Sequence, residues 1–219
     1  MSAEVNKKVI ASQKSKEKIV KTTLQLLLKK GSTSAVSTVD ICNAAKITRP
    51  TLYYHFKSKN LLLAELHRRF LGEVEFIIDE AIQIEDTMER FSFMIKGFTK
   101  HICDHPELRI IIHDALIIKD KQFKLVRDKW KNYYYLLRDT ITKLKLEKKI
   151  NTDVKPSWIA LFTLGMITWI TYWFDFSRQG ETNEIEEAIL QLVLDGINGI
   201  KNEFVPEGFD LNRNMATKV

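Results

Sequence analysis

Little in this sequence breaks a helix. The 219 residues include only four prolines and eight glycines, too few for the closely spaced turns of a β-sandwich or barrel. Two cysteines, Cys42 and Cys103, cannot build the disulfide framework of a small secreted domain, and a cytosolic location fits. The opening residues, MSAEVNKKVIASQKSKEK, are polar and charged, with no apolar segment of the secretory type. The strongest apolar run, Trp158 to Phe174, is 17 residues without a charge. That is short of the roughly 20 that a membrane-spanning helix needs. No Gly-x-Ser-x-Gly, Gly-rich phosphate loop or His-Glu-x-x-His occurs, so no catalytic residue and no cofactor is assigned.

What remains is helical. Hydrophobic residues make up 45% of the chain, and they recur at helical spacing without strand alternation or an internal repeat. The pattern predicts an all-α protein of about nine helices. They cover 16–30, two short segments within 37–56, then 59–84, 87–104, 106–118, 121–148, 156–179 and 183–203. Residues 1–15 are expected to fray, and 205–219 to form a polar tail. Charge divides the chain in two. Residues 1–60 hold 12 basic and 3 acidic side chains, a net of +9, leaving −3 on the rest of a +6 chain. A basic N-terminal part on a mildly acidic body is the footprint of a polyanion-binding domain. The division expected is a DNA-binding domain over 1–66 and a second domain over 67–219, joined by the helix 59–84.

The segment 37–59, STVDICNAAKITRPTLYYHFKSK, carries the most information. Ser37 and Asp40 form a Ser-x-x-Asp start signal. Thr48 is a good N-cap for a second short helix, with Pro50 in its first turn. Leu52 and Phe56, spaced i, i+4, form its buried side. Its other sides carry Arg49, Thr51, Tyr53, Tyr54 and His55. A helix N-terminus of this kind can enter the major groove and offer Arg49 and Thr51 to base edges. Lys57, Tyr53, Tyr54 and His55 would reach flanking phosphates, and Lys59 begins another helix whose amides favour a phosphate. The bland alternative is a helical hairpin with a half-buried tyrosine pair. The charge distribution favours DNA.

These residues resemble a known family. The run ITRPTLYYHFKSK at 47–59 is similar to the recognition helix of the TetR family of transcription regulators, and IVKTTLQLLLKKG at 19–31 to that family's first helix and its closing glycine. The resemblance implies a DNA-contacting set of Ser37, Thr38, Thr48, Arg49, Pro50, Thr51, Tyr53, Tyr54, His55, Lys57 and Lys59. It also implies double-stranded DNA with a near-palindromic operator as partner, and a homodimer. Two departures are visible: Lys46 stands where the family has a turn glycine, and the loop 32–36 is one residue longer.

The C-terminal part has weaker signals. A helix that is apolar all round is buried on every side or sits in a membrane. The helix 183–203 offers a matching band that includes Ile189, Leu192, Val193 and Gly196. The helices 156–179 and 183–203 are therefore expected to pair with their copies in a second subunit, and no membrane partner is expected. The alternative is a membrane-associated helical protein anchored by 156–179. A pocket for a small hydrophobic or aromatic effector is expected among Phe91, Phe98, Ile102, His113, Leu116, Trp130, Tyr134, Phe162 and Trp169. Gly165-Met166, Trp169 and Trp173 also resemble a pattern in family members that sense acyl-coenzyme A, which makes acyl-CoA a first candidate. Arg109, Lys119 or Arg178 would then meet its phosphates. His101 and His105 share a helix face, but Cys103 between them points elsewhere, so no metal site is assigned. The function expected is a ligand-responsive transcriptional repressor rather than an enzyme.

Overall fold

The computed structural model describes residues 2–105, 107–108, 110, 123–174 and 182–199. Its elements are α1 (Ser2–Lys30), α2 (Thr38–Ala45), α3 (Arg49–His55), α4 (Lys59–Gln83), α5 (Thr87–Asp104), α6 (Lys124–Leu146), α7 (Pro156–Trp173) and α8 (Thr182–Gly199). The described residues contain no strand. The helix expected over 106–118 lies mostly outside them.

α1 differs from expectation by starting at Ser2 rather than near Lys16. The added turns contain no proline or glycine and are rich in good helix formers, so nothing local ends the helix. Further along, Lys16 pairs with Glu65 at 3.0 Å, and Glu17 takes both arms of Arg69 at 2.5 and 2.8 Å. These pairs tie α1 to α4. Ile19, Val20, Thr23 and Leu27 are buried, whereas Leu28, expected inside, is exposed. Gly31 closes the helix at φ 72°, a conformation that costs glycine nothing.

α1 packs on α2 and α4, and α2 on α3. One core gathers Ile19, Leu27, Ile41, Leu52, Phe56 and Leu66. A second gathers Phe91, Met94, Ile95, Phe98, Tyr133 and Leu137, among others. α5 is its axis, contacting α4, α6, α7 and α8, and its inner residues Phe91, Met94, Ile95, Phe98 and Ile102 are at most 1% exposed. Asp86 caps α5, accepting from the amides of Met88 at 2.9 Å and Glu89 at 2.8 Å. Tyr133 is fully buried and donates to the Met94 carbonyl at 2.5 Å, which satisfies a hydroxyl that would otherwise be costly in the core.

α4 belongs to both cores. Leu62, Leu63, Leu66 and Leu71 face the first, and Phe70, Val74, Ile77 and Ala81 the second. The start of α6 adds a second bridge that hydrophobic periodicity did not suggest. Phe123 and Val126 are buried in the first core, with the Phe123 ring edge-on to His67 at 4.8 Å.

Candidate nucleic-acid interface and effector region

The helix-turn-helix unit is built by local hydrogen bonds. Ser37 caps α2 in a full capping box. Its hydroxyl accepts from the Asp40 amide at 3.1 Å, and the Asp40 carboxylate accepts from the Ser37 amide at 2.8 Å. Lys30 reaches the same carboxylate at 2.8 Å. Its hydrogen bond, then that of Ser37, holds the Asp40 carboxyl well below the usual range. The box therefore stays charged at any ordinary pH, and the end of α1 is clamped to the start of α2. Lys30 also donates to the Ala35 carbonyl at 3.0 Å, which orders the longer loop.

α2 ends at Lys46, whose φ of 53° and ψ of 51° are left-handed. The turn thus has the backbone conformation that suits glycine, but it is built with a lysine. Thr48 then caps α3, its hydroxyl accepting from the Thr51 amide at 3.4 Å and meeting the Thr51 hydroxyl at 2.9 Å. Leu52 and Phe56 are 2% and 5% exposed and anchor α3. Arg49, Pro50, Tyr53, Tyr54 and Lys57 are exposed, and Thr51 and His55 half-buried. Tyr54 lies edge-on to His55 at 5.0 Å. An open row of one cation, hydroxyls and phenols therefore projects from a short helix whose opposite face is locked down.

Lys59 is placed differently from the other basic residues. Its ammonium donates to the Thr33 carbonyl, so its side chain fastens the 31–36 loop to α4. Ser58 caps α4, accepting from the Leu61 amide at 3.2 Å. Thr38 is half-buried at the first turn of α2.

The effector candidates separate into two groups. Phe91, Phe98 and Ile102 are fully buried along α5, and Trp130 and Tyr134 are half-buried on α6 at the margin of the same core. Phe98 meets the Trp130 ring at 5.7 Å and the Tyr133 ring at 5.0 Å. Phe162 and Trp169, by contrast, are 61% and 60% exposed on the outer face of α7. His113, Leu116, Arg109, Lys119 and Arg178 lie outside the described residues. An apolar hollow of about 310 Å³ sits where α4 passes α6, lined by Phe56, Leu61, Ala64, Leu71 and Val126 with Glu65 and Arg68 at its edge. Another, of about 240 Å³, lies between α7 and α8 and includes Phe162, Met166, Leu192 and Gly196.

His101 and His105 come together through a residue that sequence reasoning missed. Glu73 of α4 reaches His101 Nδ1 at 2.7 Å and His105 Nε2 at 3.0 Å. Burial pushes Glu73 up, but hydrogen bonds from the two imidazoles outweigh it and hold its carboxyl below the usual value. Burial lowers His101, whereas the Glu107 hydrogen bond raises His105. Twenty-eight residues separate Glu73 from His101, so only the packing of α4 on α5 shows the pairing. Cys103 is buried, and its thiol is pushed up to about 11 by desolvation.

The outer face of α7 carries Leu161, Phe162, Met166, Trp169, Tyr172 and Trp173, all at least 41% exposed, with Leu192 of α8 at 62%. Added Cβ atoms at Gly165, Gly196 and Gly199 would meet nothing. Ile189 and Val193 instead face the chain's own core. The helix-183–203 band is thus two faces, of which Leu192 and Gly196 lie outward. No helix among the described residues is long and apolar enough to cross a membrane.

Two family models match the chain: bacterial regulatory proteins of the tetR family over residues 19–66, and the tetracyclin repressor-like C-terminal domain over 85–197. No curated protein matches it. Among solved structures, the chain is similar to a ketosteroid transcriptional regulator of Mycobacterium tuberculosis, with a TM-score of 0.75, 20% identity, and coverage of 84% of this chain and 94% of that one. It is similar to AibR, solved with isovaleryl coenzyme A and operator DNA, with a TM-score of 0.72, 20% identity, and coverage of 82% and 98%. A fatty acid degradation regulator, FadR of Bacillus halodurans, matches with a TM-score of 0.66, 18% identity, and coverage of 84% and 96%. At these identities the likeness is one of fold.

Proposed function

We propose that this chain, which belongs to the TetR family of bacterial transcription regulators, acts as a homodimeric repressor released from its operator by a small apolar effector. Membership makes it a ligand-responsive, DNA-binding regulator. The carrying observation for the finer reading is the exposed row on α3. Arg49, Tyr53 and Tyr54 project from a helix pinned by Leu52 and Phe56, and the exposed Lys57 follows just beyond its end. Each subunit would set this row in one major groove, Arg49 reading a base edge and Lys57 and the tyrosines meeting phosphates. The boundary near residue 66 separates a reading head from a sensing body, with α4 carrying over between them.

The outward face of α7 and α8 supports the dimer. Three tryptophan and tyrosine side chains there, Trp169, Tyr172 and Trp173, are without cover in one chain, and large exposed apolar patches mark interaction sites. Pairing of two such faces would set the separation of the two α3 helices. Phe98, Trp130 and Tyr134 border the effector site in this reading. An effector there bears on α4 and on the α6 start, both of which enter the first core. It releases DNA to the extent that it prefers the non-binding arrangement; a hundredfold preference corresponds to about 2.7 kcal/mol. The regulator solved with isovaleryl coenzyme A and the fatty acid degradation regulator make acyl-CoA thioesters the first compounds to try.

The experiment is selection of operator DNA from random duplexes, followed by anisotropy titration. Arg49→Ala should cost ~1–3 kcal/mol on the selected site and relax one base position, while binding to random DNA changes little. Equal loss on both DNAs would remove Arg49 as a base reader. A panel of acyl-CoA thioesters and aromatic compounds is then titrated for release, with Trp130 fluorescence as a second readout. If no compound both quenches and releases, the effector half of the reading fails.

A further inference from the structure

Among the described residues, the regulator reading leaves unused a cluster of metal-ligating side chains, Glu73, His101 and His105, and we propose that it is a binding site for a divalent transition metal joining α4 to α5. One ligand atom from each residue lies within 4.8 Å of the other two. His101 and His105 stand one helical turn apart at i, i+4 at the end of α5, the spacing that turns two imidazoles to one side of a helix. Glu73 enters from the neighbouring helix and already touches both rings, at 2.7 Å and at 3.0 to 3.1 Å. Ligands bound at 2.0–2.1 Å in a tetrahedron stand roughly 3.3 Å apart. The two Glu73–imidazole distances are already near that spacing, and the two imidazole nitrogens, within 4.8 Å of each other, would close by up to about 1.5 Å to complete a coordination shell with a fourth position open.

The His101 side chain is 1% exposed and presents Nδ1 to Glu73, so its Nε2, which has no hydrogen-bond partner among the described residues, lies outside the proposed shell. One further observation points to a ligand. His105, meanwhile, turns its second nitrogen, Nδ1, toward the Glu107 carboxylate at 3.4 Å, and Glu107 is itself only 8% exposed. A carboxylate behind a histidine fixes the ring and raises its basicity, which is the usual outer shell of a metal-bound imidazole. Two imidazoles and one carboxylate suit zinc, cobalt or nickel, and are a poor set for calcium or magnesium, which take oxygen. Lys100, on the same helix, is engaged elsewhere, on Asp104 at 2.7 Å.

The site has a mechanical position. Glu73 lies three residues beyond Phe70, where α4 has just turned its buried side from the first core to the second. A bound metal would fix that point of α4 to the end of α5.

The test uses the full chain stripped with a chelator and titrated with cobalt(II), whose visible absorption reports coordination by nitrogen and oxygen. One cobalt per chain is expected, displaced by zinc. Zinc should also raise the melting temperature of the wild type. His105→Ala should abolish both effects. Glu73→Gln, at a side chain 55% exposed and so safe for folding, should weaken cobalt binding at least tenfold while leaving the circular dichroism spectrum unchanged. No stoichiometric binding at millimolar cobalt, or equal binding by Glu73→Gln and the wild type, would overturn the site. Neither result bears on operator recognition, because none of these measurements involves DNA.

Discussion

Lys46 and Lys59 are two lysines in the reading head whose roles the backbone decides. Lys46 holds a left-handed turn at φ 53°, where a Cβ is crowded by about 1–2 kcal/mol. Lys46→Gly should relieve that strain. Allowing for the greater freedom of glycine in the unfolded chain, the gain is about 1 kcal/mol or somewhat less, or roughly 2–4 °C in melting temperature. A scanning calorimetry trace with an unchanged or lower midpoint would show that the turn carries no strain. The glycine-to-lysine departure was visible in the sequence, because turn chemistry is local. The fate of Lys59 was not: its bond to the Thr33 carbonyl crosses 26 positions, and only the folded loop reveals it. The same holds for Glu73, an exposed acid with nothing in its neighbourhood to mark it.

At the scale of elements, helix starts were the most legible feature. Ser37 and Thr48 cap as their neighbours suggested, and Ser58 caps α4 in the same way, since a cap needs only three or four consecutive residues. Asp86 joins them at α5 and is held down to about 2, first by its hydrogen bond with Lys149 and then by the Glu89 amide. A depressed carboxyl adds stability above its unfolded value, usually 3.8, and loses it as pH falls through the folded value. Asp86→Ala should therefore lower the melting temperature at pH 7, with the difference from wild type shrinking only below about pH 4. A difference that vanished between pH 7 and 5 would contradict the cap. Faces were harder to read than starts. In α8 the apolar residues cover more than half the circumference, and only the packing on α5 separates the inward Ile189 and Val193 from the outward Leu192. Hence Ile189→Asp should unfold the chain. Leu192→Asp should leave it folded and split the dimer, a buried unpaired charge costing about 3 kcal/mol or more. Sedimentation velocity at micromolar concentration should show a monomer with wild-type helicity; a dimer would place the interface elsewhere.

At the scale of the molecule, two cores share α4 and the start of α6; Cys42, 6% exposed, belongs to the first core, and Cys103, 7% exposed, is buried near the end of α5. The chain thus carries one built-in reporter of opening in each half. A buried thiol reacts with an alkylating reagent only in molecules that have opened around it, so each alkylation rate measures the free energy of exposing that half. If the shared helix makes the chain one cooperative unit, both thiols should be modified at the same slow rate, and a rise in stability should slow both together. Mass spectrometry of the two cysteine peptides after timed labelling would read this directly. Cys42 reacting tenfold faster than Cys103 would mean that the head melts while the body stays folded.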